Sequence, residues 1–146
     1  MRRHLFAPTE IVMPMKWNRE LEINIPEIDR QHQKLVALIN ELDAAMQDGR
    51  GKAVVGAVLD KLVDYTVYHF GAEEHLMDEH HYPGSVRHKT QHVEFVKKLI
   101  DFRSAYADGS LGLSISVMAF LCDWLAEHIM GTDRQYVPHL TAKGVI

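Results

Sequence analysis

One cysteine, Cys122, is all that the sequence contains. A disulfide framework is therefore excluded, and a reducing cytoplasm is the expected compartment. No apolar run approaches the ~20 residues needed to cross a bilayer, so no membrane association is expected. The N-terminal stretch from Met1 to Pro8 carries charge but no long apolar segment, and it does not read as a signal peptide. Basic clusters are missing too. With a formal net charge of −4, the chain is a poor partner for nucleic acid or an anionic surface. Internal repeats and low-complexity tracts are also absent, and no strand signal competes with a helical reading.

What remains is ordinary in bulk: 146 residues, 47% apolar and 25% charged, enough for one domain with a real core. Residues 1–14 hold Pro8 and Pro14 and no periodicity, and read as a flexible leader; Met13 or Met15 would serve equally as a start. Residues 15–146 then form the domain. An extended arm carrying Trp17 leads to Asn24-Ile25-Pro26, with proline tolerated in a first helical turn. Four helices are predicted, over about 26–47, 52–81, 85–108 and 114–131, with Ser85 a candidate N-cap. A short helical turn over 133–136 follows, ended by Pro138.

Each helix carries an apolar seam repeating in fours and threes: Ile28, His32, Leu35, Ile39, Leu42, Met46 in the first. The second reads Val55, Leu59, Leu62, Thr66, His69, Glu73, Leu76, His80. The third reads His88, His92, Phe95, Leu99, Phe102, Tyr106, and the fourth Ser114, Met118, Leu121, Leu125, His128. Such seams pack at shallow angles, so the expected fold is an all-α, up-down-up-down four-helix bundle with an N-terminal arm and a short C-terminal turn. The exposed faces show mixed charge and no obvious apolar patch, and a monomer is expected.

Ten histidines are the unusual feature. His32, His69, His88, His92 and His128 all fall on seams, and in up-down topology all five sit at one end of the bundle. A lone histidine on an apolar face is ordinarily a core residue, but five at one level beside a seam glutamate point to a metal site. Glu73 stands one turn from His69, and a buried carboxylate is costly unless paired, hydrogen-bonded or bound to metal. His75 and His81 fall off the seam, His80 lies ~16 Å along the axis from His69, and His4 and His139 sit in the tails; all five read as surface residues. Asp133 follows His128 by five, ~140° away on a regular helix. A bulge at Gly131 could return it to the layer; equally, it could cap the terminal turn. Cys122 reads as a small core residue.

The ordered set His32, His69-Phe-Gly-Ala-Glu73, His88-Lys-Thr-Gln-His92 and His128-Ile-Met-Gly-Thr-Asp133 resembles the hemerythrin family. Ile28-Asp29-Arg30-Gln31-His32 and Tyr82-Pro83-Gly84 frame it as in the single-domain prokaryotic members, the bacteriohemerythrins, and the likeness runs over about 17–140. The resemblance implies a non-haem diiron centre, oxo- or hydroxo-bridged, that binds O2 reversibly. His88, His92 and His128 would ligate one iron, His32 and His69 the other, and Glu73 and Asp133 would bridge both. That set leaves one coordination position open, on the iron with two histidines, where O2 would be held as hydroperoxide. The 14-residue leader departs from the pattern, and Gly71 is a poor helix former that would allow close helix approach or soften the turn.

Oxygen carriage, storage or delivery is thus the expected function, without enzymatic turnover. Carboxylate-rich diiron sites built on paired Glu-x-x-His motifs stabilise high-valent iron, and this chain has no such motif. Zinc prefers four ligands and would be overfilled by seven. The alternatives are an oxygen or iron sensor acting through a partner, and a diiron oxidase or nitric-oxide-reducing enzyme. A redox or delivery partner protein is expected. Leu35, Phe70, Leu125 and Ile129 are the candidates for an apolar pocket around the open position.

Overall fold

Asp29 shows how the chain begins its first helix. Its carboxylate accepts the backbone N–H groups of Ile23 at 2.9 Å and Asn24 at 3.1 Å, folding the preceding arm back onto the helix. Pro26 occupies the first helical position, where its fixed φ fits and its missing N–H costs nothing. Glu27 and Asp29 place negative charge in the first turn, as the helix dipole favours.

The computed structural model describes residues 15–49, 51–109 and 115–146. Four long helices dominate: α1 (Pro26–Gln47), α2 (Lys52–Glu79), α3 (Ser85–Ala107) and α4 (Ile115–Glu127). No strand occurs among the described residues. A π-helical turn, His128–Thr132, continues α4, followed by a 3-10 turn, Asp133–Tyr136, and a short α5 (Val137–Ala142). Helix α2 packs beside α1 and α3, and α4 beside α1, giving the expected four-helix bundle. Phe95 of α3 stacks on Trp124 of α4 at 3.9 Å, closing the ring of helices.

The seams fill the interior. Leu42, Leu59, Leu99 and Leu121 are fully buried and make the apolar end of the core. Each such side chain stabilises the fold by about 1.5–3 kcal/mol relative to exposure. The opposite end holds His32, His69, Glu73, His88, His92, His128 and Asp133, all buried. Cys122 is buried as well. The arm is not simply extended: a 3-10 turn at Arg19–Leu21 interrupts it, while Met15, Leu21, Ile23 and Ile25 sink into the core. Asn40 secures its start by bonding the backbone of Met15 in both directions, at 3.2 and 2.8 Å.

Several expectations need correction. Ser85 is the first helical residue, behind Gly84 as N-cap, and its hydroxyl donates to Asp78 at 3.0 Å instead. Pro138 does not end the terminal turn; it stands in the first turn of α5, where proline is tolerated. His139 is half-buried rather than in a tail, its Nε2 2.6 Å from the backbone carbonyl of His80. A Cβ on Gly71 would meet nothing within 4 Å, so close helix approach is not why glycine stands there. An apolar groove of about 500 Å³ does exist, between α2 and α3, lined by Val67, Phe70, Val93, Val96 and Ile100 among others. The leader 1–14, His4 and Ser114 lie outside the described residues.

Candidate metal centre

Four helices each deliver their share of one polar layer. The spacing of four on α2 sets His69 and Glu73 one turn apart on the inward face, and the same spacing on α3 does so for His88 and His92. Helix α1 adds His32. The fourth contribution needs a change of winding. From His128 to Thr132 the helix widens to a π turn, and the N–H of Asp133 bonds back to the carbonyl of His128, five residues earlier. The wider turn carries Asp133 round to the same side as His128, and its carboxylate is fully buried. Asp133 therefore faces the layer, and the capping alternative is set aside: no side-chain cap bond is made at this turn.

All seven predicted side chains meet. They fall into two overlapping groups, Glu73, His88, His92, His128 and Asp133 in one, His32, His69, Glu73 and Asp133 in the other, each with its ligand atoms within 4.8 Å of one another. The two carboxylates belong to both. Every imidazole turns Nε2 inward. That of His32 lies 3.0 Å from Asp133 Oδ2, that of His88 2.9 Å and that of His128 3.1 Å from Asp133 Oδ1. His92 Nε2 is 3.2 Å and His69 Nε2 3.6 Å from Glu73 Oε1. By contrast His75 is four-fifths exposed on its side chain and His81 is exposed.

Proximity is not hydrogen bonding here. Nε2 of His32, His69 and His88, Oε1 of Glu73 and both oxygens of Asp133 are buried with no hydrogen-bond partner of proper geometry. His92 and His128 face each other Nε2 to Nε2 at 3.1 Å, where at most one can donate. Each unpartnered buried polar atom costs about 1–3 kcal/mol. Lone pairs that converge on common points and do not satisfy each other form a donor set suited to a cation. Nitrogen and oxygen donors in this proportion suit a first-row transition metal such as iron.

The metal-free electrostatics show the same tension. Burial alone lowers the basicity of His32 and His88, but the adjacent carboxylates of Asp133 and Glu73 outweigh it and raise both to about 9. For His69 burial wins, assisted by the neighbouring His32, and the imidazole is lowered to about 4 despite the pull of Glu73. Burial also works against ionised Glu73 and Asp133, yet the surrounding histidines hold both below the ordinary carboxylate range. Burial, then the charge of Glu73, drives Tyr136 up.

Sequence reasoning missed a set of residues standing behind the layer. Tyr136, fully buried, donates its hydroxyl to Glu73 Oε2 at 2.7 Å and lies over His88, ring centroids 5.6 Å apart. Gln31 Oε1 accepts from His69 Nδ1 at 2.6 Å, and Gln91 Oε1 from His128 Nδ1 at 3.2 Å. Glu74 Oε2 accepts from His92 Nδ1 at 2.9 Å. Trp124 stacks on His128 at 4.4 Å and Phe70 on His92 at 3.7 Å. The available signals were weak: Gln31 and Gln91 each precede a seam histidine, and Tyr136 follows Asp133 by three.

Comparison with known proteins is consistent across sequence and structure. The family described as Hemerythrin HHE cation binding domain matches residues 24–140. A bacteriohemerythrin of Stenotrophomonas maltophilia is 37% identical over 126 residues, covering 86% of this chain and 81% of that protein. A hemerythrin-like protein of Naegleria gruberi is 33% identical, covering 88% of this chain and 95% of that one. The crystal structure of wild-type hemerythrin superposes with a TM-score of 0.80 at 31% identity, over 87% of this chain and 98% of the other.

Proposed function

The chain belongs to the hemerythrin family, and from that premise we propose that it binds dioxygen reversibly at two iron ions held by its buried histidine–carboxylate layer. His88, His92 and His128 would hold one ion, His32 and His69 the other, with Glu73 and Asp133 shared between them. The observation that carries this reading is the division of seven buried side chains into a three-histidine and a two-histidine group with both carboxylates in common. Unequal histidine numbers would give one ion fewer protein ligands than the other. When bound, the iron pair supplies the electrons and the open position that O2 requires.

The chain's own residues do the rest. Gln31, Glu74 and Gln91 accept from Nδ1 of His69, His92 and His128, which fixes each tautomer with the Nε2 lone pair inward. Tyr136 holds one oxygen of Glu73, setting the plane of a carboxylate that serves both groups. Phe70 and Trp124 clamp two imidazole planes by stacking. Leu35, Leu125 and Ile129, all buried, lie within three residues of His32 or His128 in sequence. A dry, apolar surround would keep water and anions from the metals and favour release of O2 over irreversible oxidation. We take the protein to act as a monomer in the cytoplasm, carrying, storing or delivering O2 to a partner protein, without turnover of its own. No described helix is long and apolar enough to cross a membrane.

Anaerobic iron loading followed by an O2-titrated absorption spectrum tests the proposal. Two irons per chain are expected, with a colourless reduced form that colours with O2 and bleaches under argon. Colour that returns to the reduced form only with added reductant would refute reversible binding. Multiple turnovers with a defined reductant, faster than autoxidation, would assign an enzyme instead.

A further inference from the structure

Three imidazoles of the layer are gripped from behind, and the grips are not alike. His69 and His128 donate from Nδ1 to glutamine amides, Gln31 at 2.6 Å and Gln91 at 3.2 Å. Both amides are held by further bonds: Gln31 donates to Glu27 at 3.1 Å, and Gln91 Oε1 also accepts the Thr132 hydroxyl at 3.0 Å. His92 alone donates to a carboxylate, Glu74 Oε2 at 2.9 Å. Nδ1 of His32 and of His88 has no partner. Every anionic charge placed behind an imidazole is therefore in the three-histidine group, at one position.

The sequence builds this grip on α2. Phe70 and Glu74 stand four apart and point the same way, one step round the helix from His69 and Glu73. Phe70 lies flat on His92, ring planes within 5° at 3.7 Å, and sets the plane of the imidazole. Glu74 then sets its direction within that plane. The glutamate lies on the wall of the apolar groove and is 30% exposed on its side chain, so solvent only partly screens it.

An ionised acceptor on Nδ1–H makes Nε2 a stronger donor than a neutral amide does, because the proton is drawn toward the carboxylate and electron density moves to the far nitrogen. A stronger donor favours the more highly charged metal. We infer that Glu74 is a positioning residue that, through His92, biases the three-histidine site toward the oxidised state and so makes the two metal sites electronically unequal. The inference rests on the diiron reading above.

Glu74→Gln keeps shape and an acceptor oxygen while removing the charge. Iron should stay at two per chain, and the midpoint potential should rise, favouring the reduced form about tenfold, ~59 mV for a one-electron step. Gln91→Glu, which adds a carboxylate behind His128 in the same group, should move the potential the other way. Glu79→Gln, an exposed change on the same helix, should leave it in place. An unchanged potential in Glu74→Gln, loss of iron from that variant, or equal-direction shifts in Glu74→Gln and Gln91→Glu would overturn the inference alone. Failure of the unaltered protein to take up two irons would overturn the diiron reading and this inference with it.

Discussion

Removing the metals should destabilise the fold, and by an amount the layer itself predicts. Six inward-facing buried polar atoms, Nε2 of His32, His69 and His88, Oε1 of Glu73 and both oxygens of Asp133, have no hydrogen-bond partner. At about 1–3 kcal/mol each the upper bound is about 6–18 kcal/mol. Protonation of His32 and His88 against Asp133 relieves part of it; taking half leaves about 3–9 kcal/mol, against total stabilities of ~5–15 kcal/mol for ordinary domains. The pH dependence has a definite shape. His32 and His88 are raised to about 9 in the metal-free fold. Their stabilisation is complete below the unfolded value near 6.5 and is lost as pH rises through 9, by about 3 kcal/mol per histidine. His69, lowered to about 4, works in the opposite sense: its contribution is present above 6.5 and is lost as pH falls toward 4. Metal-free protein should therefore be most stable near pH 6.5. Loaded protein, with its Nε2 atoms committed to metal as proposed above, should lack the alkaline loss. Urea unfolding of both forms between pH 5 and 9 reads this directly. Coincident midpoints at pH 7, or a gap that narrows from pH 6.5 to 9, would refute the reasoning.

Four further substitutions probe other parts of the molecule. Tyr136→Phe removes a 2.7 Å bond to a buried carboxylate and should cost about 1.5–3 kcal/mol in unfolding free energy; a loss within error of zero would show that Glu73 finds another donor. Glu73→Ala should abolish most iron binding, while His75→Ala, on an exposed side chain, should leave the iron content at the unaltered level by metal analysis. Gly71→Ala should raise stability by up to about 1 kcal/mol, because the methyl meets nothing within 4 Å and glycine is costly inside a helix; a lower thermal midpoint would reveal a constraint at that position.

The bundle was legible because its helices repeat in fours and threes, and six of the seven side chains because histidine and glutamate are conspicuous on such seams; Asp133, five residues past His128, was reached only through the family resemblance, because regular winding points it away. Where the pattern drifted, geometry explains it. Beyond Glu73 the buried seam of α2 continues through Met77, four residues on, rather than Leu76; a helix of 3.6 residues per turn cannot keep strict alternation for its whole length. Gln31, Glu74, Gln91 and Tyr136 were not legible as a set. Their residue types are common on helices, and what distinguishes them is a partner on another helix, 38 positions away for Gln31 and 63 for Tyr136. The groove between α2 and α3 escaped for a similar reason. Val67 and Val93 are half or more exposed and unremarkable in their own helices, yet packing brings them to one face.

The π turn at His128–Thr132 has a further consequence for how the chain tolerates change in length. On α2 the histidine and the carboxylate stand four apart in regular winding; on the last helix they stand five apart and yet reach the same layer. The chain thus carries one residue of slack between His128 and Asp133, stored as a wider loop of helix. Losing that residue would let the turn close to a plain α-helix, where a spacing of four keeps both side chains within ~40° of one direction. Everything downstream, Tyr136 and Leu140 included, would keep its phase. A one-residue gap at this place in a comparison of sequences is therefore a difference in winding, not the loss of a carboxylate.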